Sequence, residues 1–289
     1  MRTPELFTDP EAWRAKCLSA REKGARLALV PTMGALHEGH LSLLREARVR
    51  ADRGGGLGLS LATIFVNPTQ FGPGEDLARY PRDLTGDLEK CARAGVDWVL
   101  APERAERIFG PDHETWVTVE RVSTGLCGAA RPGHFRGVAT VVAKLFNLTR
   151  PHLALFGEKD YQQLAVIRAL SRDLSFGIEI VGMPIVREPD GLALSSRNAY
   201  LAPADRARAL SLSAALRAAQ EETAEGRRDA VELRARARAR LEASEVRVDY
   251  VEVVHPETLA KVDRAEPGSV MLLAAFVGAT RLIDNARLP

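Results

Sequence analysis

The chain of 289 residues contains few cysteines, and none of them forms a CxxC pair. Cys17, Cys91 and Cys127 are widely spaced and odd in number. This pattern supports neither a zinc ribbon nor a disulfide framework. A reducing cytoplasm is therefore the expected compartment.

Long apolar runs and an excess of charge of one sign are also missing. No apolar run approaches the ~20 residues that a membrane helix needs. The N-terminal stretch MRTPELFTDPEAWRAK lacks the apolar region of a signal peptide. With 40 basic and 38 acidic residues the net charge is +2, which gives no argument for a nucleic-acid or membrane partner.

Lysine is scarce, because arginine supplies nearly all of the positive charge. A lysine within a suspected site is therefore less easily dismissed as incidental. The six lysines are Lys16, Lys23, Lys90, Lys144, Lys159 and Lys261.

What the sequence does contain is an alternation of short apolar strands with helices of about 10–15 residues, which is typical of βαβ units. We predict an α/β fold with a Rossmann-like, doubly wound, mostly parallel sheet. The predicted strands cover 25–30, 59–66, 96–102, 153–157 and 178–188, and the predicted helices begin near His40 or cover 84–95, 137–150 and 161–174. The alternating stretch ETWVTVERV (114–122) predicts a half-exposed strand.

After about residue 188 the composition changes. Residues 204–245 are rich in Ala, Arg, Glu and Leu and predict two helices interrupted near Gly226, while 246–254 and 270–284 predict strands. We therefore expect a domain over 1–187 and a smaller α+β domain over 188–289 that closes over the site. The arginines at alternate positions from Arg234 to Arg240 favour a solvated helix face over a nucleic-acid stripe.

The stretch PTMGALHEGH (31–40) places two imidazoles where a buried strand becomes a helix. Ligands bind at such junctions in open α/β folds, and the first N–H groups of a helix attract anions. Gly34 and Gly39 allow close approach of the backbone, and His37 and His40 can face one phosphate. A metal bound by the two histidines, or a histidine that is merely a surface residue or a cap, are the alternatives.

Three further polar stretches follow apolar segments. FVNPTQFG (65–72) presents Gln70 to a small polar substrate, unless it is only a polar surface loop. LFGEKDYQQL (155–164) presents Lys159 before a helix for which Asp160 is a candidate N-cap, and only one of Gln162 and Gln163 can face the core. An exposed lysine before a helix is the alternative.

LALSSRNAYL (192–201) groups two hydroxyls, an arginine and local N–H groups. Such a group suits a clamp for a polyphosphate. It is equally compatible with a turn that leads into the next helix.

Together these strings resemble a known family. PTMGALHEGH is similar to the HxGH signature of the nucleotidyltransferases, and PTMGxLHxGHxSL, FVNPxQFG and GxKDxQQ resemble the motifs of pantoate–β-alanine ligases, also called pantothenate synthetases. LALSSRNAYL resembles a KMSKS-type loop without lysine. The four strings occur in the expected order across most of residues 25–200.

The resemblance implies an ATP-dependent ligase that condenses pantoate with β-alanine through pantoyl adenylate, releasing AMP and pyrophosphate. It implies a cytoplasmic homodimer and Mg²⁺ as the ion that accompanies ATP. Asp87 holds the family position near this ion, but Gly86 stands where many members have an acidic residue. The rival functions are another adenylyltransferase of this fold and a nucleotide-binding regulatory module without turnover.

The resemblance also implies roles for individual residues. His40, His37 and Lys159 would be catalytic, and Gln70 and Gln163 would bind pantoate and β-alanine. The residues implied to contact ATP are Met33, Gly34, Ala35, Leu36, His37, Glu38, Gly39, His40, Gly157, Glu158, Lys159, Asp160, Val186, Leu194, Ser195, Ser196 and Arg197. Arg131 and His134 would support the site or belong to a lid.

Overall fold

The computed structural model describes residues 3–289, which form two compact units. The first unit comprises the chain up to Glu120 together with Arg131–Glu158 and Val166–Pro184. The second comprises Arg121–Ala130, Lys159–Ala165 and Ile185–Pro289. Two segments that precede residue 187 thus cluster with the C-terminal part of the chain.

A six-stranded parallel sheet forms the centre of the first unit, in the order β1-β4-β3-β2-β5-β6. The chain extends the sheet in one direction from β2 to β4 and then returns to the other side of β2. This order confirms the predicted doubly wound sheet. The strands are β1 (Glu5–Phe7), β2 (Arg26–Thr32), β3 (Gly58–Ile64), β4 (Trp98–Leu100), β5 (Leu153–Gly157) and β6 (Glu179–Met183).

Helices connect these strands, and several of them bury one face against the sheet. The best example is α2, whose Leu43, Leu44, Ala47 and Ala51 are buried in a cluster with β2 and β3. The helices up to β6 are α1 (Pro10–Glu22), α2 (Glu38–Ala51), α3 (Leu84–Arg93), α4 (Glu106–Phe109), α5 (Leu126–Ala130), α6 (His134–Thr149) and α7 (Tyr161–Asp173).

The strands are parallel, so their carboxyl ends share one edge of the sheet. β2 pairs with β3 on one side and with β5 on the other, which places the reversal of strand order between β2 and β5. Such a switch point opens a crevice at the carboxyl edge. The residues after β2 and β5 therefore border the position where this fold binds ligands.

Several parts of the predicted secondary structure were incomplete or wrong, and the strand predicted over 178–188 already ends at Met183. β1 and α1 were not predicted, although Asp9 caps α1 and Pro10 occupies its first turn. The strand predicted over 114–122 is wrong, because among the described residues no strand pairs with it. Instead the Val117 N–H donates to the hydroxyl of Thr140 on α6 (3.0 Å). The Arg136 guanidinium lies over the ring of Trp116 in a cation–π contact.

The second unit contains an antiparallel sheet in the order β7-β8-β9, with β7 (Arg247–Val254), β8 (Val270–Val277) and β9 (Thr280–Arg287). The helices α8 (Pro203–Ala224) and α9 (Ala230–Ala243) pack on this sheet around a common apolar core. The predicted helix pair and the strand predicted over 246–254 are thus present, while the stretch predicted as strand over 270–284 is two antiparallel strands joined by a turn at Gly278 and Ala279. The α9 arginines lie on an ion-paired surface, since each pairs with a glutamate: Arg234, Arg236, Arg238 and Arg240.

Candidate functional site

The turn between β2 and α2 uses its own backbone N–H groups internally. The Gly34 N–H donates to the hydroxyl of Thr32 (3.2 Å), while the N–H groups of Ala35 and Leu36 donate to the two carboxylate oxygens of Asp87 (2.8 Å each). Gly34 and Ala35 both have positive φ, 80° and 50°. Three consecutive N–H groups of the predicted nucleotide loop are therefore held by protein acceptors.

His37 and His40 cap the first turn of α2 reciprocally. Nδ1 of His37 accepts from the Gly39 N–H (3.2 Å), and Nδ1 of His40 accepts from the His37 N–H (3.3 Å). The ring centroids are 4.1 Å apart. Because an accepting Nδ1 carries no proton, each neutral imidazole holds its proton on Nε2, which makes Nε2 a hydrogen-bond donor.

This arrangement corrects one expectation from the sequence. The first N–H groups of α2 were expected to lack partners and to bind the anion themselves, but the Gly39 N–H is capped by an imidazole, and those of His40 and Leu41 donate to the His37 carbonyl. The side-chain N–H groups of the histidines, together with the helix dipole, are therefore the donors that we consider for an anion at this turn.

Asp87 does not fit the role of metal ligand that the resemblance implies. Its carboxylate is 1% exposed, both oxygens accept backbone N–H groups, and the Lys90 ammonium lies 3.5 Å from one of them. Gly86 adds no second carboxylate. Among residues 3–289 no group of three His, Cys, Asp or Glu side chains is placed to hold a metal ion.

Gln70 is buried and held on both ends of its amide, so the polar-surface-loop alternative is wrong. Its carbonyl oxygen accepts from Asn67 Nδ2 (3.1 Å), and its Nε2 lies 2.9 Å from the sulfur of Met33. Asn67 also bonds to the Gly137 carbonyl (3.3 Å). Gly137 is required there, because a Cβ atom would lie 2.2 Å from the carbonyl oxygen of Thr69.

The backbone of Gln70 is fixed by a second set of groups. The Gln70 carbonyl accepts from His134 Nδ1 (2.7 Å) and from Arg131 (3.2 Å), and Arg131 forms two hydrogen bonds with Glu75 (2.7 and 2.6 Å). Burial raises the pKa of Glu75, but the hydrogen bond and charge of Arg131 outweigh burial and hold that pKa below its ordinary value. Arg131 and His134 thus support the position of Gln70.

The first unit therefore brings three predicted groups to the carboxyl edge of its sheet. Met33 and the histidine turn follow β2, Gln70 lies in the 3₁₀ turn Pro68–Gln70 after β3, and Gly157 ends β5. Glu158 begins a further 3₁₀ turn, Glu158–Asp160. This turn leads into α7, and Asp160 directly precedes the first residue of that helix.

Lys159 belongs to the second unit, where β9 holds its backbone. The Lys159 carbonyl accepts from Asn285 Nδ2 (3.0 Å), and the Lys159 ammonium lies 3.8 Å from the Asp160 carboxylate. The Lys159 side chain is 19% exposed, so the alternative of a freely exposed lysine before a helix does not describe it.

The predicted polyphosphate loop follows a hairpin in the second unit. The Leu194 N–H donates to the Val186 carbonyl (3.0 Å), which places these two predicted nucleotide contacts side by side. Arg187 anchors the hairpin by two bonds to Asp284 (2.7 and 3.0 Å). Ser195 then caps the 3₁₀ helix Ser196–Tyr200 by accepting the Arg197 N–H.

The two adjacent glutamines at the start of α7 have different environments. Gln162 is buried, accepts from the Cys127 N–H (3.0 Å) and donates to the Gly125 carbonyl and two neighbouring carbonyls. Gln163 is half-buried. This confirms that only one of the pair faces the interior.

Several supporting residues were not predicted, namely Thr32, Asn67, Glu75, Arg187, Asp284 and Asn285. Asn67 lies inside a predicted motif and could have been found by asking which side chain turns the chain after a strand, since Asn commonly caps such turns. Asp284 and Asn285 lie in a strand without any motif. Only the fold brings them to Arg187 and Lys159.

The three cysteines are buried and free. Burial raises the pKa of the Cys17 and Cys91 thiols to about 12. Within the described part of the chain, no helix has the length and apolar character that crossing a membrane requires.

Relatives of the chain carry a consistent description. The structure of the Thermus thermophilus pantothenate synthetase is similar with a TM-score of 0.90 at 44% identity, covering 99% of this chain and 100% of that one. The pantoate-beta-alanine ligase from Francisella tularensis, solved with beta-gamma ATP and beta-alanine, has a TM-score of 0.81 at 31% identity, covering 98% and 97%.

Sequence comparison agrees with the structural similarity. The pantothenate synthetase of Anaeromyxobacter dehalogenans is 76% identical over 100% of both chains, and that of Myxococcus xanthus is 58% identical over 98% of this chain and 95% of the relative. The family model described as Pantoate-beta-alanine ligase matches residues 5–287. The chain therefore belongs to the family of pantoate–β-alanine ligases.

Proposed function

We propose that this enzyme condenses pantoate with β-alanine in two half-reactions. In the first, a carboxylate oxygen of pantoate attacks the α-phosphorus of ATP, a P–O bond forms, and pyrophosphate leaves. In the second, the amine of β-alanine attacks the activated carbonyl, loses a proton and expels AMP. Adenylation is needed because a free carboxylate has no good leaving group at neutral pH.

The observation that carries this proposal is the reciprocal capping of His37 and His40. Both Nδ1 atoms are engaged by backbone N–H groups, so both rings present an N–H at Nε2. Donors fixed in advance at the place where charge develops lower the barrier without reorganising. We infer that these Nε2–H groups donate hydrogen bonds to the phosphates as pyrophosphate leaves, with His40 as the main donor.

The remaining roles are proposed from the resemblance to the family. Lys159, Ser195, Ser196 and Arg197 supply the charge and donors for the β- and γ-phosphates, while Met33, Val186 and Leu194 offer apolar surface to the nucleotide. Gln70, held rigidly by Asn67, and the half-buried Gln163 orient pantoate. Nucleotidyl transfer needs alignment and charge stabilisation more than covalent help from the protein.

Mg²⁺ is proposed only as a companion of ATP. Phosphate oxygens bind Mg²⁺ well, and the ion keeps several waters in many enzymes. The surroundings of Asp87 do not fit a protein-held ion, and we assign no protein ligand to it. A cytoplasmic location and a homodimer also remain proposals, and light scattering of the purified chain tests the dimer.

An assay that measures AMP with each substrate omitted in turn tests the function. We expect AMP only when ATP, pantoate and β-alanine are all present. Pyrophosphate released from ATP, without free AMP, when a nucleotide or a phosphopantetheine replaces pantoate would instead identify another adenylyltransferase, because such an enzyme transfers AMP to its acceptor. Absence of both AMP and pyrophosphate with every acceptor would favour a regulatory module.

A further inference from the structure

Asp87 connects two parts of the first unit that are far apart in sequence. It lies in the first turn of α3, is 1% exposed, and accepts the N–H groups of Ala35 and Leu36 at 2.8 Å, one with each carboxylate oxygen. Two hydrogen bonds from consecutive N–H groups to one carboxylate fix both the position and the orientation of a turn.

The turn that Asp87 holds has a backbone that needs support. Gly34 and Ala35 both have positive φ, and for alanine this region is disfavoured by its Cβ atom. The fit is close, since a Cβ atom at position 34 would lie 2.9 Å from the Asp87 carboxylate. Leu36 is followed directly by His37, so the turn determines where the capped histidine pair begins.

The local structure on α3 argues against a metal at Asp87. Asp83 caps the helix by accepting the Gly86 N–H (3.0 Å), and its carboxylate occupies the space where a side chain at position 86 would begin. The neighbouring Lys90 ammonium, 3.5 Å from Asp87, supplies positive charge that a cation would have to displace. Asp87 thus holds the turn at Ala35 and Leu36 without any bound ion.

We propose that Asp87 is a positioning residue: it clamps the turn at Ala35 and Leu36 and thereby places His37 and His40, and it does not ligate Mg²⁺. For its effect on catalysis this inference rests on the proposed adenylation. The clamp itself does not depend on that function.

The test compares Asp87→Asn with Asp83→Asn as a matched control. Both substitutions remove one carboxylate charge from the start of α3, but only position 87 contacts the turn. The readout is the pantoate-dependent exchange of pyrophosphate into ATP, measured over a range of Mg²⁺ concentrations. Displacing catalytic groups slightly can reduce a rate by about 10²-fold.

For Asp87→Asn we expect a loss of about 10- to 100-fold in the maximal exchange rate, with an unchanged Mg²⁺ concentration at half-maximal rate. Asp83→Asn should stay within about threefold of wild type, because asparagine still caps α3 and the two imidazoles keep their places. A several-fold rise in the Mg²⁺ requirement, with recovery at high Mg²⁺, would overturn the inference, as would equal losses in the two variants.

Asp87→Glu provides a second test should Asp87→Asn fail to fold. It keeps the charge and the capacity to bind metal, but the longer side chain cannot keep both hydrogen bonds in this tight site. We expect a reduced exchange rate here too, and a wild-type rate would contradict the clamp.

Hydrogen exchange of the turn gives a readout that needs no substrate. In the Asp87 variants the amides of residues 35 and 36 should exchange at least tenfold faster than in wild type, and unchanged protection would overturn the clamp. If wild type itself shows no pantoate-dependent exchange of pyrophosphate, the proposed function is wrong. Hydrogen exchange at residues 35 and 36 then still tests whether Asp87 holds the turn.

Discussion

The backbone N–H of His37 donates to Nδ1 of His40 across 3.3 Å, while Nδ1 of His37 accepts from the Gly39 N–H in the first turn of the same helix. Each imidazole therefore serves α2 as a cap and at the same time has its tautomer fixed. A proton on either Nδ1 would break a cap. The same two hydrogen bonds thus stabilise the start of α2 and keep the proton of each ring on Nε2, where it can be donated to a hydrogen bond.

His37→Asn distinguishes the role of His37 as a helix cap from its role as a hydrogen-bond donor in adenylation. Asparagine is a good N-cap, so we expect a free energy of unfolding within a few tenths of a kcal/mol of wild type, but a loss of about 10²–10³-fold in adenylation because the Nε2–H donor is gone. His37→Ala should in addition lose about 1 kcal/mol of stability. Denaturant unfolding and pyrophosphate exchange measure the two effects, and a wild-type exchange rate in His37→Asn would contradict the assigned role.

Gly137→Ala should disturb Gln70 through the backbone. Its Cβ atom would lie 2.2 Å from the Thr69 carbonyl oxygen, and the resulting shift should destabilise the first unit by about 1–3 kcal/mol. We expect the KM for pantoate to rise while the KM for ATP changes little. Gly56→Ala is the matched control, since no heavy atom lies within 4 Å of its added Cβ, and steady-state kinetics with each substrate varied distinguishes the two.

The ion pair of Glu75 predicts a pH dependence of stability. Arg131 holds the folded-state pKa of Glu75 below its ordinary value of 4.5, so the carboxylate is favoured in the folded state. Its contribution is present above pH 4.5 and is lost as the pH falls through the folded pKa.

Unfolding of wild type and Glu75→Gln from pH 7 to pH 3 measures this contribution. Wild type should be more stable by about 1 kcal/mol at pH 7, and the difference should shrink towards acid. A difference that grows on acidification would show that the sign is wrong.

Asn285→Ala tests whether β9 positions Lys159. Removing the donor to the Lys159 carbonyl should reduce kcat by about tenfold or more, because a displaced ammonium stabilises the transition-state charge poorly. Gln220→Ala removes a similar bond, from an amide to the Arg287 carbonyl on the same strand (2.9 Å), and should leave kcat unchanged. Equal losses in both variants would show that β9 is merely destabilised.

Five of the six strands of the sheet in the first unit were predictable because they are largely apolar runs followed by Gly, Pro or Asn, whereas the short edge strand β1 was not. The strand predicted over 114–122 is wrong because it was inferred from the alternation of apolar and polar residues. Alternation indicates only that one face of a segment is more buried than the other. In the structure the Val117 N–H donates to a hydroxyl instead of to a neighbouring strand.

The site was predictable where the residues that act together are close in sequence, as at His37 and His40. It was not predictable where the partner is remote in sequence. Nothing near Asp87 indicates that its oxygens are taken by N–H groups more than 50 residues away, and nothing near Asn285 points to Lys159. Such residues act through backbone hydrogen bonds, which leave no spacing pattern in a single sequence.

The role of the imidazoles in adenylation is tested by the exchange of labelled pyrophosphate into ATP, measured with pantoate present and β-alanine absent, for wild type and His40→Ala. We expect robust exchange that depends on pantoate in wild type and a loss of about 10²–10³-fold in a folded His40→Ala variant. Exchange without pantoate, or wild-type exchange in folded His40→Ala, would contradict that role.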